Sequence, residues 1–528
     1  MKPALRLAAL PLTLLAAGFV ACTHLPGTSS STAGERASDA SGEAPISPAA
    51  LRRDLAAFAD DSMRGRETGT PDAFRAARFL ADRVRALGLE PAGDSLYLQR
   101  VPMERETFTD AAHLEVRTAA RVWPFAIGRE LVPLLDLGAG LPPTRRNADG
   151  DLVFVGNAAR AGGGRRDELA GLDLAGKVVV VVNGAPRSAD AATRTRQEGQ
   201  AAISDRLARI LPQHPAAVIV LLAGEGRALF GSVAPGLVRR VALRTGRPDV
   251  PEDERRLPLI LLGTPADGSP LLPAGWPADD RPQALPGRFV AELPQRREAF
   301  VDYNVVAAIR GRDPALQSTY VALGAHYDHI GIVTAVHGDS IANGADDDGS
   351  GSVALLAVAG AMQRSGPARR SVLFVWHVGE EEGLLGSSWF ADHPTVPIDS
   401  IVAQLNADMI GRNDAGQLSI VGPLVAPNHQ SRRLGAIVDS VNARQHPPFR
   451  LDRSLDDADH PEHIYERSDH FNYARKGIPI VFFTTGLHPD YHQPGDELSR
   501  IDFDKLARVT RLLHDVALAV ADAPYRPR

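Results

Sequence analysis

One cysteine, Cys22, serves all 528 residues. An internal disulfide is therefore excluded, and stability must come from the core. Nor is there an excess of positive charge. Lys and Arg number 58 against 64 Asp and Glu, a net charge of -6, whereas nucleic-acid binders usually carry a basic excess. A run long enough to span a bilayer is missing too: "LAALPLTLLAAGFVA" (Leu7–Ala21) is short and broken by Pro11. No internal repeat is evident. What remains is an ordinary globular composition, 44% hydrophobic and 23% charged. The chain is too long for one ordinary core, so two domains are expected.

The N-terminus reads as a targeting segment. Lys2 and Arg6 precede the apolar run, the pattern of a signal peptide over residues 1–21. The run ends in "FVAC", which resembles a bacterial lipoprotein cleavage site with Cys22 as the lipidated residue. Phe19 stands where Leu is usual, and cleavage without lipidation is the alternative. Thr23 lacks the aspartate associated with inner-membrane retention, which favours the outer membrane. Residues 22–46, rich in Ser, Thr, Gly, Ala and Pro, read as a flexible tether.

From Ser47 helical patterns begin. "SPAALRRDLAAFADD" and "TPDAFRAARFLADRVRALG" each open on a capping hydroxyl followed by proline. In the second, Phe74, Ala77, Leu80, Ala81, Val84 and Leu87 should form one buried face. Residues 131–286 differ, with short β-type runs ("DLVFVG", "GKVVVVVNG", "AAVIVLLAG", "LPLILLG") between turn signals and a helix near Asp205–Leu211. This reads as a mostly-β domain inserted between 47–130 and 287–528. Beyond residue 300, strand and helix patterns alternate, which predicts an α/β sandwich with a mostly parallel sheet.

In such a sheet, sites lie at the carboxyl ends of strands. His326, Asp328 and His329 end one strand pattern. Asp346, Asp347 and Asp348 precede a helix pattern. Glu380, Glu381 and Glu382 end a second strand, Asp408 a third, and His492 follows a fourth. Five such loops, each with a carboxylate or imidazole, suit a pair of zinc ions bound by nitrogen and oxygen. Two ions need a shared carboxylate, separate ligands for each, and a free carboxylate as base. Spacing alone does not say which Asp or Glu of each run has which task.

"GAHYDHIG", "GADDDGSG", "EEEGLLGS", "NADMIG", "YERSDHFNY" and "DYHQPGDE", in this order, resemble the co-catalytic dizinc aminopeptidases of the bacterial leucyl aminopeptidase type. The resemblance is close over 297–528 and loose over 47–125. It implies a three-layer zinc-peptidase fold, and "DLVFVGNAARAGGGRRDELAGLDLAGKVVVVVNGAP" looks like an inserted protease-associated domain. By the same resemblance Asp347 bridges two Zn2+, His326 and Asp408 complete one set, and Glu381 and His492 the other. Glu380 becomes the general base, Asp328 would orient the His326 ring, and Tyr491 would bind the oxyanion. A cis peptide after Asp347 is a further family trait. Cobalt or manganese could replace zinc.

Taken singly, the motifs are weak. "HxD" is usually structural, "EEE" usually a solvated helix start, and "DDDGSG" usually a turn or a calcium loop. Ser468, Asp469 and His470 are adjacent and point apart, so they form no triad. His377 reads as a core residue; His337, His393, His460 and His463 read as surface groups. The expected function is exported aminopeptidase, with peptides as substrates. A carboxypeptidase or dipeptidase, holding a terminal carboxylate with Arg412 or Arg467, is the main alternative. A glutaminyl cyclase or a non-catalytic receptor would have lost ligands, and both sets are complete. The sequence leaves the oligomeric state open.

Overall fold

The computed structural model describes residues 46–527 apart from 136–141, 159–166, 186–199, 225, 228–229, 231–233, 235–236, 245–250, 279, 425–430, 458–459 and 461–462. The signal-peptide, tether and Cys22 expectations lie outside the described residues. Among the described residues, no helix is long and apolar enough to cross a membrane.

The chain divides into two compact units, one of residues 46–104, 241–244 and 299–527, the other of 105–240 and 245–298. The first is an α/β sandwich on a ten-stranded mixed sheet. Its centre runs Ile480–Thr484, Ile401–Ala407, Tyr320–His326, Ser371–His377, each pair parallel. Antiparallel strands flank this block, Gln295–Ile309 on one side and Gln417–Val421 on the other. The central strands are buried almost throughout. Coverage on both faces explains why they read as continuous apolar runs rather than alternations. One face carries Val321, Leu323, Phe374 and Trp376 into a core shared with the helices Pro48–Phe58, Gly351–Ser365 and Phe503–Asp522. The other carries Ala322, Leu373 and Val375 against Phe390 and Tyr473 of the helices Leu385–Asp392 and His470–Arg475. These are the three layers. Each fully buried Leu or Phe contributes roughly 1.5–3 kcal/mol.

The caps form as the local chemistry requires. Ser47 Oγ accepts from Ala50 N at 3.1 Å, and Thr70 Oγ1 from Asp72 N at 3.3 Å. The face of Pro71–Ala86 differs from expectation at one residue. Ala73 and Ala76 are buried with Ala77, Leu80, Ala81 and Val84, whereas Phe74 is 40% exposed. The buried stripe is turned toward small residues, and the Phe74 ring packs on Tyr303, centroids 5.5 Å apart.

The second unit is built on an eight-stranded sheet. Asn147–Phe154, Val178–Asn183, Ala217–Leu222 and Leu259–Gly263 are its parallel centre. Gln283–Glu292, His113–Arg117 and Val122–Pro124 extend it antiparallel. Apolar cores lie on both faces, one including Leu207 of the helix Gln200–Ile210. The unit is wider than the expected 131–286, because its antiparallel extension uses residues from both sides of that span. The chain also leaves it for residues 241–244, where Val241 is 1% exposed in the core of the first unit.

Candidate metal centre

Parallel strands end on one edge of a sheet, and the four central ones bring their following loops together there. His326 closes Tyr320–His326; Glu380 and Glu381 follow Ser371–His377; Asp408 follows Ile401–Ala407; His492 lies in the loop after Ile480–Thr484. Asp347 stands in the turn Ala345–Ser350 that feeds the helix Gly351–Ser365.

The side chains converge in two groups that share Asp347. His326 Nε2 is 3.2 Å from Asp347 Oδ1 and 3.6 Å from Asp408 Oδ1. His492 Nε2 is 3.1 Å from Asp347 Oδ2 and 2.9 Å from Glu381 Oε2. One oxygen of Asp347 thus faces each group. Donors about 2.0–2.2 Å from one tetrahedral ion stand roughly 3.3–3.5 Å apart, close to these separations. His326 Nε2, His492 Nε2, Asp347 Oδ2 and Asp408 Oδ1 are buried and make no hydrogen bond. Buried polar atoms are ordinarily paired, so lone pairs left converging in this way fit a pair of divalent cations.

The electrostatics agree. Seven carboxylates crowd this edge: Asp328, Asp346, Asp347, Asp348, Glu380, Glu381 and Asp408. Burial raises Asp328 and Asp348 above the ordinary carboxylate range. It drives Glu380 well above the ordinary carboxylate range, with Glu381, Asp408 and Asp469 adding to the rise and His326 opposing it. Burial likewise raises Asp408. Against burial, His326 and His492 hold Asp347 well down, and His492 with His329 holds Glu381 down at about 2. Burial disfavours the imidazolium of His492, yet Glu381 and Asp347 push it up to about 10. Such concentrated negative charge calls for a cation.

Each aspartate of the triplet Asp346–Asp348 has its own task. Asp347 faces the centre. Asp348 accepts from His326 N at 3.2 Å and Gly351 N at 2.8 Å, and Asp346 accepts from Gly411 N at 2.6 Å. The Asp347–Asp348 peptide is cis. Asp496 accepts from the N–H groups of both Asp346 and Asp347. Arg66, fully buried, donates to the carbonyls of Tyr327, Asn343 and Gly344 at 2.7, 2.6 and 2.9 Å. It ties the His326 loop to the Asp347 turn. Sequence reasoning missed Asp496 and Arg66. Asp496 lies within "DYHQPGDE", where it could have been singled out; Arg66, which ends the short 3-10 turn Asp61–Arg66 some 260 residues before the metal-centre loops, carried no signal.

One expected role changes in form. Asp328 does not meet the His326 ring through its carboxylate, which is 3.8 Å from Nδ1; its main-chain carbonyl does so, at 3.1 Å. The carboxylate instead accepts from Thr68 Oγ1 at 2.9 Å and Glu380 N at 3.2 Å, so it sets the Glu380 loop. Tyr491 stacks on His492 with centroids 3.8 Å apart, and its hydroxyl is 3.3 Å from Arg467. His329, to which sequence reasoning gave no role, lies inside the cluster with Nδ1 2.7 Å from Glu381 Oε1. Ser468 donates to Asp408, while His470 meets the Tyr465 carbonyl, so "SDH" is no triad.

The profile of Peptidase family M28 matches residues 304–517. Leucine aminopeptidase 1 of Trichophyton equinum is 31% identical over 240 residues, 43% of this chain and 60% of that protein. Leucine aminopeptidase 1 of Arthroderma otae is 30% identical over 243 residues, again 43% and 60%. The chain therefore spans about 60% of the length of these curated relatives. Among solved structures, an aminopeptidase from Aneurinibacillus sp. strain AM-1 superposes with a TM-score of 0.56 at 20% identity, covering 92% of this chain and 96% of its own. BSAP, a zinc aminopeptidase from Bacillus subtilis, superposes at 0.53 with 17% identity, covering 92% and 98%. Both likenesses are of fold.

Proposed function

With the profile of peptidase family M28 matching residues 304–517, we propose that this chain is a dinuclear zinc aminopeptidase of that family. The observation that carries the reading is Asp347, with one oxygen toward each donor group. His326 and Asp408 would hold one ion, Glu381 and His492 the other. When bound, the two ions supply Lewis acidity, polarising the scissile carbonyl and acidifying a water. Glu380, buried and raised in pKa, takes the proton of the attacking water and delivers it to the leaving amine. The Asp328 carboxylate holds the Glu380 loop by accepting from its N–H. Tyr491, stacked on His492, is available to the developing oxyanion.

Of the two arginines that a carboxypeptidase could use, the geometry speaks against Arg412, whereas Arg467 stays beside Tyr491 OH at 3.3 Å. Arg412 is bound to Asp490 at 2.6 Å, lies 3.7 Å from Asp496, and is 12% exposed. Its charge is already matched within the protein, which leaves it poorly suited to a substrate carboxylate. The relatives named leucine aminopeptidase agree with this direction. The inserted unit is read as a protease-associated domain on its "GKVVVVVNG" segment, and export with a lipid anchor at Cys22 on the N-terminal pattern.

Hydrolysis of a tripeptide with both ends free, beside N-acetylated and C-amidated copies, tests the activity. Resistance of the acetylated copy alone is expected, and Glu380→Gln should lose about 10²–10⁴-fold in rate while binding two ions. Resistance of the amidated copy instead would mean a carboxypeptidase.

A further inference from the structure

We propose that a cleft outside the metal centre binds a free α-amino acid, by its ammonium, its carboxylate and an apolar side chain. That such a molecule is also a product made by this chain rests on the aminopeptidase reading above.

The cleft lies within the first unit and has a volume of about 280 Å³. Gln99, Arg100 and Pro102 of the strand Leu98–Phe108 line it, with Asp94 from the turn before that strand. Val301 of Gln295–Ile309 and Trp389 of the helix Leu385–Asp392 close it, and His393 follows that helix. None of these residues belongs to the metal centre. Sites for drug-sized ligands measure roughly 300–1,000 Å³, so this cleft suits one amino acid rather than a peptide.

Two opposite charges stand in it unmatched. Asp94 Oδ2 accepts from the main-chain N of Arg100 at 3.0 Å. Among the described residues, neither side chain has any other hydrogen bond or ion pair. A single exposed charge is content in water. A carboxylate and a guanidinium that share a small cleft without pairing match the two ends of a zwitterion. The Asp94 carboxylate only accepts, which suits an ammonium. The Arg100 fork offers parallel N–H groups, which suit a carboxylate. Pro102, Val301 and the Trp389 indole offer apolar surface to the side chain.

The walls are set before a ligand arrives. Gln99, 1% exposed, donates from Nε2 to the His393 carbonyl at 2.6 Å and accepts at Oε1 from Asn304 Nδ2 at 2.8 Å. Asn304 is held in turn by the Gly386 carbonyl at 2.9 Å and by Val378 N at 3.0 Å. The Trp389 and His393 rings stack with centroids 3.7 Å apart. Walls already fixed spare a ligand the cost of ordering side chains.

The test is leucine binding by the purified, metal-loaded full chain, read by tryptophan fluorescence. Leucine should change the signal saturably. Isocaproate, which lacks the ammonium, and isoamylamine, which lacks the carboxylate, should bind about 10–100-fold more weakly. Arg100→Ala and Asp94→Asn should weaken leucine by a similar factor and keep wild-type peptide turnover. Trp389→Phe should lose the signal. Asp347→Ala, which disables the metal centre, should keep it. Folded Arg100→Ala and Asp94→Asn proteins that bind leucine like the wild type would overturn the inference. So would a signal that survives Trp389→Phe or vanishes in Asp347→Ala, since leucine would then be bound elsewhere. If leucine binds the cleft as expected and no peptide is cut, the aminopeptidase reading fails and the amino-acid site stands.

Discussion

His377 and His470 lie fully buried behind the metal site, and burial holds both down at about pKa 3. His377 faces Tyr473 OH at 3.3 Å, and the His470 ring stacks on Phe482. Both are neutral in the folded protein at pH 7, and both titrate near 6.5 when unfolded. The unfolded chain therefore binds more protons between these values. Their contribution to stability is complete above pH 6.5 and is lost as pH falls toward 3, with a slope approaching ~1.4 kcal/mol per pH unit for each histidine. Thermal melts of the protein and of His377→Phe across this range should show a shallower acid decline in the variant. Parallel declines would mean that other groups govern acid unfolding.

At the scale of elements, a buried cation joins the carboxylates of the strand-end loops in holding two of them together. Arg66 bridges carbonyls of the loop after Tyr320–His326 and the turn before Gly351–Ser365. Its guanidinium lies 4.7 Å over the Phe58 ring, from the helix Pro48–Phe58. Burial lowers its pKa to about 10, while Asp328, Asp496, Asp347 and Asp348 favour the charge. Lysine cannot reproduce a planar fork that reaches four carbonyls, that of Phe58 included. Arg66→Lys should cost about 3 kcal/mol in denaturant unfolding and lower zinc affinity together with stability. A variant of wild-type stability with weakened zinc would assign Arg66 to the metal site alone. The strand Ile401–Ala407 illustrates what an element's pattern can reveal. Gln404, Asn406 and Asp408 alternate along "AQLNAD", and that period of two marks one polar face inside an otherwise apolar run.

Over the whole molecule, the central strands and the convergence of their ends were legible, because parallel strands buried on both faces leave long apolar runs that stop at acidic residues and histidines. Within the triplets Asp346–Asp348 and Glu380–Glu382, composition left the roles open, and a resemblance to a known family was needed to choose. His329 was legible at the strand end beside His326 but not its role, because its partner Glu381 lies 52 positions away. The second unit was legible as a β-rich insertion but drawn too narrow, since pairing partners such as Leu114 and Ala291 are distant in sequence. The return of Val241 to the first unit's core left no pattern beyond a short apolar stretch.

In the proposed dinuclear centre Asp347 serves two ions at once. Calorimetric titration of metal-free protein with zinc, beside Asp347→Ala and Asp408→Ala, tests this directly. Two ions per chain are expected for the wild type, one tight ion for Asp408→Ala, and loss of tight binding at both sites for Asp347→Ala. A folded Asp347→Ala protein that still binds two ions tightly would contradict the shared carboxylate, and with it the dinuclear centre described above.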